Sequence, residues 1–155
     1  PHRVRPKEPS IVLEAAQFLA VLCVALFAGA ALYINLVEHP ARMSLDTAAA
    51  AAQWARSYHR ATLMQAPLAV LSFLAGLAAW LLGAGLSWLI GALLIGAVVP
   101  FTFIGIIPAN RRLLGGDIGS SETRQLLRRW NVLHSVRTIL SVGALLIMLW
   151  QLLGA

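Results

Sequence analysis

The chain has 155 residues, of which 59% are hydrophobic and 12% charged, with a formal net charge of +6 at pH 7. Soluble domains carry roughly 25% charged residues, so an ordinary soluble domain is excluded, and the mean hydropathy of +0.78 puts the chain in the membrane class. The length admits one bundle of about four spans and no separate soluble domain. The aromatics lie in apolar runs rather than in a basic groove, so the positive charge points to anionic headgroups and not to nucleic acid.

Pro1 to Pro9 reads as a basic, proline-rich tail carrying Arg3, Arg5 and Lys7. A start at Pro1 is expected to reflect truncation or processing, and the first apolar run is too long for the core of a cleavable signal. Ser10 is a candidate cap, with Glu14 close to the helix start where a carboxylate suits the dipole. No charge occurs from Ala15 to Val37, so the spacing predicts a first span over about 12–37. Its end is predicted at Glu38, His39 and Pro40, because a proline disfavours the α region for the residue before it. Cys23 is the only cysteine, which rules out an intrachain disulfide and a multi-cysteine metal site.

Ala41 to Arg60 is alanine-rich and reads as an interfacial helix that runs into a second span over about 63–82, with Pro67 as a candidate kink. Trp54, Tyr58, Ala61 and Gln65 fall on one helical face. Tyr58 is therefore expected to point inward and His59 outward. Between Arg60 and Arg111 there is no Asp, Glu, Lys or Arg, and Gly83, Ala84 and Gly85 are the break that turns this run into a hairpin. The third span covers about 86–107, with Pro100 inside it and Pro108 closing it. A proline within a span frees backbone carbonyls, which in a membrane need other partners, so such places often line cavities. A glycine-rich connection (Gly115, Gly116, Gly119) leads to a helix capped by Ser120 or Ser121, and this helix becomes a fourth span over about 133–152. The fold class expected is all-α: an integral membrane four-helix bundle, as one domain over 10–155 behind the tail of residues 1–9.

Nine arginines, counting Arg137 just past the third connection, lie in or beside the first and third connections, against three cations in the tail. The positive-inside bias then puts the polar connections 38–62 and 108–132 on the cytoplasmic side of a multi-pass protein. Up-down order also brings those connections to one level. His39, His59 and His134 fall in that layer together with Asn110, Arg111, Trp130, Asn131 and Arg137. Ionisable groups near hydrocarbon are costly and by default mark a site facing the bundle interior.

On the fourth helix Trp130, His134 and Arg137 make one face, with Asn131 alongside. His134 can exchange a proton near neutral pH, Arg137 can hold an enolate or phenolate oxygen through two donors, and Asn or Trp N–H groups can hold a carbonyl. The competing reading is structural: Arg137 snorkels, His134 bonds a carbonyl and Trp130 joins the aromatic belt. Glu38 and His39 have two readings as well, as a general base or metal ligand, or with Glu38 as an ion-pair partner of Arg42 or Arg137. His39, His134 and Glu38 are the set that would ligate a transition metal, and one histidine would ligate haem. No tight ligand spacing is present.

At these residues the chain resembles the anthrone oxygenases, small four-span proteins whose best-known members belong to fungal aromatic polyketide pathways. The matching pieces are Leu36 to Arg42; Trp54, Tyr58, Arg60 and Gln65; Pro100 to Thr102 and Pro108 to Leu113; and Leu127 to Trp130 continuing to His134, Val136 and Arg137. The resemblance implies an oxygenase that converts an anthrone to an anthraquinone with O2, without an established flavin or metal. It implies His134 as base or acid, Arg137 as oxyanion partner and Asn110 as positioning donor. Trp54, Tyr58 and Trp130 would be aromatic walls, with Glu38 and His39 as alternate bases; Gln65 and Asn131 complete the candidate substrate contacts. The function expected is thus a membrane oxidoreductase for a hydrophobic aromatic molecule reaching it from the bilayer. The alternative is a non-catalytic membrane module that binds a lipid, haem, metal or protein partner through the same layer. A transporter ranks third, because a chain this short would need to assemble as a homo-oligomer to build a path.

Overall fold

The computed structural model describes residues 10–154, and the predicted basic tail lies outside them. Four long helices account for nearly all of the described chain: α1 (Ile11–Met43), α2 (Thr47–Leu81), α3 (Leu86–Gly115) and α4 (Ser121–Leu152). Each is long and apolar enough to cross a membrane. α1 packs on α2, α2 on α3, α3 on α4, and α4 closes back on α1, which is the order of an up-down-up-down bundle.

Local chemistry sets the ends. Ser10 accepts from the Leu13 N–H at 3.2 Å and caps α1; Asp46 accepts from Ala49 at 2.9 Å and caps α2; Ser120 accepts from Thr123 at 3.1 Å and caps α4. Gly83 and Gly85 have φ of +93° and +101°, so the tight turn between α2 and α3 depends on the absence of a Cβ at both places.

Two predicted ends are corrected. α1 does not stop at Glu38, His39 and Pro40; it passes through a π-helical turn at Ile34–Glu38 and continues to Met43. α3 likewise is not closed by Pro108, because a π-helical turn at Thr102–Ile106 carries it to Gly115. The reason is the same in both. The N–H of His39 bonds to the Ile34 carbonyl, five residues back, and that of Ile107 bonds to Thr102. Each widened turn lies just ahead of the proline and relieves the clash that a proline ring makes with the carbonyl four residues earlier. The polar segment does run into the second span as expected, since residues 47–81 form one continuous helix through Pro67.

The bundle has two cores. One is built from Val24, Phe27, Ala69, Trp88, Ile95 and Met148, with the buried Ser72 hydroxyl donating to the Ala20 carbonyl at its side. The other, at the end holding the first and third connections, contains Ile34, Trp54, Leu113, Leu127 and Trp130. Arg124 ties that end together by donating to the main-chain oxygens of Met43 and Leu45, bridging α4 to the α1–α2 connection. The glycines let the apolar halves approach: a Cβ on Gly76 would lie 3.1 Å from that of Ala92.

Candidate functional site

The second core is polar at its centre. Buried there are His39, Arg42, Gln65, Asn110, His134 and Thr138. They come from all four helices, and the long polar extensions of α2 and α4 bring them to one level.

Asn35, on the π-helical turn of α1, organises the centre. Its Nδ2 donates to the main-chain carbonyl of Asn131 at 3.2 Å, to the Asn131 side-chain oxygen at 2.8 Å and to Ser135 Oγ at 3.1 Å. A main-chain carbonyl only accepts, so this contact fixes which end of the Asn35 amide is nitrogen. Oδ1 of Asn35 then accepts from the Thr138 hydroxyl at 2.5 Å and from Nδ1 of His134 at 3.0 Å. His134 is therefore held as the Nδ1–H tautomer, and Nε2 keeps its lone pair for the crevice that His134 helps to line.

Aromatic rings pack around the imidazole. Trp130 stacks on His134 with centroids 4.9 Å apart and on His39 at 6.1 Å. Trp54 meets Trp130 edge-on at 6.0 Å and lies parallel to Tyr58 at 5.3 Å. Trp130 also donates from Nε1 to Asn110 Oδ1 at 2.9 Å, joining α4 to α3.

Two arginines enter this environment. Arg137 donates to Gln65 Oε1 at 2.9 Å and lies over the Phe27 ring at 5.4 Å, with no carboxylate partner among the described residues. Arg42 is 3% exposed and pairs with Glu38 at 2.5 Å. It also donates to Gln53 and to Ser57, the latter at 3.0 Å. The ion pair of Glu38 with Arg42, one of its two sequence readings, is present.

Seven buried side-chain nitrogens lack a protein partner among the described residues; two of them, His39 Nδ1 and Trp88 Nε1, belong to residues that line neither cavity beside His134, and the other five do line them. Those five are Trp54 Nε1, Gln65 Nε2, Asn110 Nδ2, Arg42 Nη1 and Arg137 Nε. All five are donors. Their residues line either a narrow crevice beside His134 or an adjoining chamber of about 160 Å³. The two share Tyr58, Thr62, Gln65 and Arg137 as a common wall. The far wall of the chamber is apolar, formed by Phe27, Ala69, Val98 and Ile106, with Phe103 at its exposed rim. Unpartnered buried donors cost free energy, and a ligand offering oxygen acceptors would meet them.

The structure thus brings together most of the residues anticipated from sequence. His39, His134, Arg137, Asn110, Gln65, Trp54, Trp130 and Asn131 lie in this centre, and Tyr58 faces the cavities while His59 is exposed. Arg60 and Arg111, placed by sequence in the same layer, are on the surface. Sequence names His39, His134 and Glu38 as the set that would hold a metal; among the described residues no three His, Cys, Asp or Glu side chains converge, and Glu38 is engaged by Arg42. Sequence reading missed Asn35, Ser135 and Thr138, and gave Arg42 only an ion-pair role. A carboxamide two residues from the end of an uncharged run was the available signal for Asn35.

Against known proteins the match follows the same elements. The family model described as anthrone oxygenase matches residues 54–147, from Trp54 on α2 to beyond Arg137 on α4. An anthrone oxygenase of Aspergillus fumigatus is 29% identical over 164 aligned residues, covering 96% of this chain and 98% of that protein. Another, of Claviceps purpurea, is 29% identical over 105 residues, covering 59% of this chain and 60% of its own. No solved structure matches. The family match takes in Trp54, Tyr58, Gln65, Asn110, Trp130, His134 and Arg137, and covers more than half of the chain, which belongs to the anthrone oxygenase family.

Proposed function

We propose that this protein is an integral membrane oxygenase that oxidises the activated methylene of an anthrone-like aromatic ketone with O2. The observation that carries the reading is the set of unpartnered donors around the cavities beside the free Nε2 of His134. Nε2 takes a proton from the ring methylene, and the electron pair moves onto the ketone oxygen. That oxygen, now an enolate, is held by Arg137 with Gln65 or Asn110, donors already fixed before the charge develops. The enolate carbon reduces O2 and forms a C–O bond, giving a hydroperoxide once the proton returns. Loss of water from the hydroperoxide leaves a second ketone, so one O2 yields one carbonyl oxygen and one water. His39, stacked on Trp130, is the alternate base.

The apolar wall and the rim at Phe103, 65% exposed, support entry from the bilayer. Ligand pockets usually measure about 300 Å³ or more. The chamber of about 160 Å³ therefore has to widen for a tricyclic substrate, and the freely exposed Phe103 ring is the group able to swing aside. The arginine excess at the end holding the first and third connections supports a cytoplasmic position for them.

The test is anthrone oxidation by purified protein in detergent, followed by O2 uptake and quinone absorbance. Wild type should exceed His134→Ala by about 10²–10⁴-fold, the span usual for a positioned general base. Equal rates would remove the enzymatic reading for this substrate and leave a binding module.

A further inference from the structure

On the other side of α3 from the donor-lined chamber, α3 and α4 part to form a cleft of about 240 Å³. Its floor is hydrocarbon, formed by Pro108 and Ala109 from α3 and Leu126 and Leu133 from α4. Ala109 is buried and the two leucines are half-buried, whereas Arg112 and Arg129, which complete the lining, are exposed. The π-helical turn at Thr102–Ile106 supplies the end of the cleft away from the arginines, through half-buried Gly105 and exposed Ile104. Ile104 lies eight residues before Arg112, a drop of about 12 Å along the helix.

Neither arginine has an acidic partner. The only ion pair among the described residues is Arg42 with Glu38. Nearby Arg124 shows the contrast, its guanidinium being taken up by the main chain of Met43 and Leu45. The cleft therefore joins two cations without an acidic partner among the described residues to an apolar trough running along the outer α3–α4 face.

We propose that this cleft binds one anionic phospholipid, with its phosphate against Arg112 and Arg129 and a segment of acyl chain along the trough. Guanidinium groups hold phosphate oxygens in pairs, and basic pockets between membrane helices are suited to anionic headgroups. The trough selects a lipid over a free anion, because inorganic phosphate leaves the hydrocarbon floor uncovered. The site is separate from the cavities around His134, so it stands or falls independently of the proposed oxidation.

The experiment is native mass spectrometry of the full chain, delipidated in detergent and titrated with phosphatidylglycerol or phosphatidylcholine of identical chains. Phosphatidylglycerol should be retained at least tenfold better, given about 1 kcal/mol for each cation near an anionic headgroup. The double variant Arg112→Gln/Arg129→Gln should abolish that preference while its helical circular dichroism stays that of wild type. Leu126→Trp, which fills the trough and keeps both arginines, should lose the lipid adduct. Millimolar inorganic phosphate should not compete. Equal retention of the two lipids, an undiminished preference in the double variant, an undiminished adduct in Leu126→Trp, or displacement by phosphate would each overturn the proposal.

Discussion

The Asn35 side-chain oxygen, on a π-helical turn of α1, accepts from Nδ1 of His134 on α4 at 3.0 Å. Because the other end of the same amide donates to a main-chain carbonyl, the contact sets both the tautomer and the tilt of the imidazole. Asn35→Leu should leave the stacked Trp130 and the helical content unchanged, yet lower kcat for anthrone oxidation by about 10–100-fold with little change in KM. That range corresponds to one or two hydrogen bonds of about 1.4 kcal/mol each in the transition state. A kcat equal to wild type would mean that His134 needs no orientation, or is not the base.

Arg137 donates to Gln65 and has no carboxylate partner among the described residues, so its positive charge is uncompensated within the cavity wall. Replacement by lysine keeps the charge but loses the planar fork. Arg137→Lys should therefore cut kcat at least tenfold if two donors converge on an enolate oxygen, whereas an anchor reaching for headgroups would tolerate it. Steady-state rates of this variant, measured beside an exposed control such as Arg111→Lys, separate the two roles.

Arg42 and Glu38 are one turn apart on α1, the arginine buried and the glutamate partly exposed. Glu38→Leu strands the guanidinium and should destabilise the bundle by about 2–3 kcal/mol, somewhat less than for a fully enclosed pair. The double variant Glu38→Leu/Arg42→Met should recover most of that loss, since removing both charges avoids the desolvation cost. Chemical unfolding in mixed micelles reads both values, and a double variant no more stable than Glu38→Leu would contradict the account.

The apolar half should be sensitive to added volume at the α2–α3 contact. A Cβ at Gly76 would fall 3.0 Å from Met148 Cε and 3.1 Å from Ala92 Cβ. Gly76→Val drives a branched side chain into that contact and should cost about 1–3 kcal/mol of stability. Gly29, where a Cβ meets nothing within 4 Å, is the control. Comparable thermal midpoints for Gly76→Val and Gly29→Val would show that the helices can separate freely.

Much of the architecture is legible in the residues themselves. The uncharged runs, the Gly83-Ala84-Gly85 break and the capping Ser10 and Ser120 are local signals, and local physics decides them. The face shared by Trp54, Tyr58 and Gln65, like that shared by Trp130, His134 and Arg137, follows from helical period alone. The two misread helix ends, at Pro40 and Pro108, failed because the proline rule assumes a regular helix before the ring. A π-helical turn is a backbone alternative that packing stabilises, and residue type does not announce it.

Sequence by itself determined a four-helix apolar chain with its polar groups gathered at one end, because hydrophobic length and helical period are properties of each segment. Tertiary structure alone decided which polar groups work together. It gave Glu38 to Arg42, left Arg137 without a counter-ion among the described residues and aimed the oxygen of Asn35 at His134. Those outcomes depend on where four helices meet and on which donors find acceptors once water is excluded, a balance settled between segments and not within any one of them.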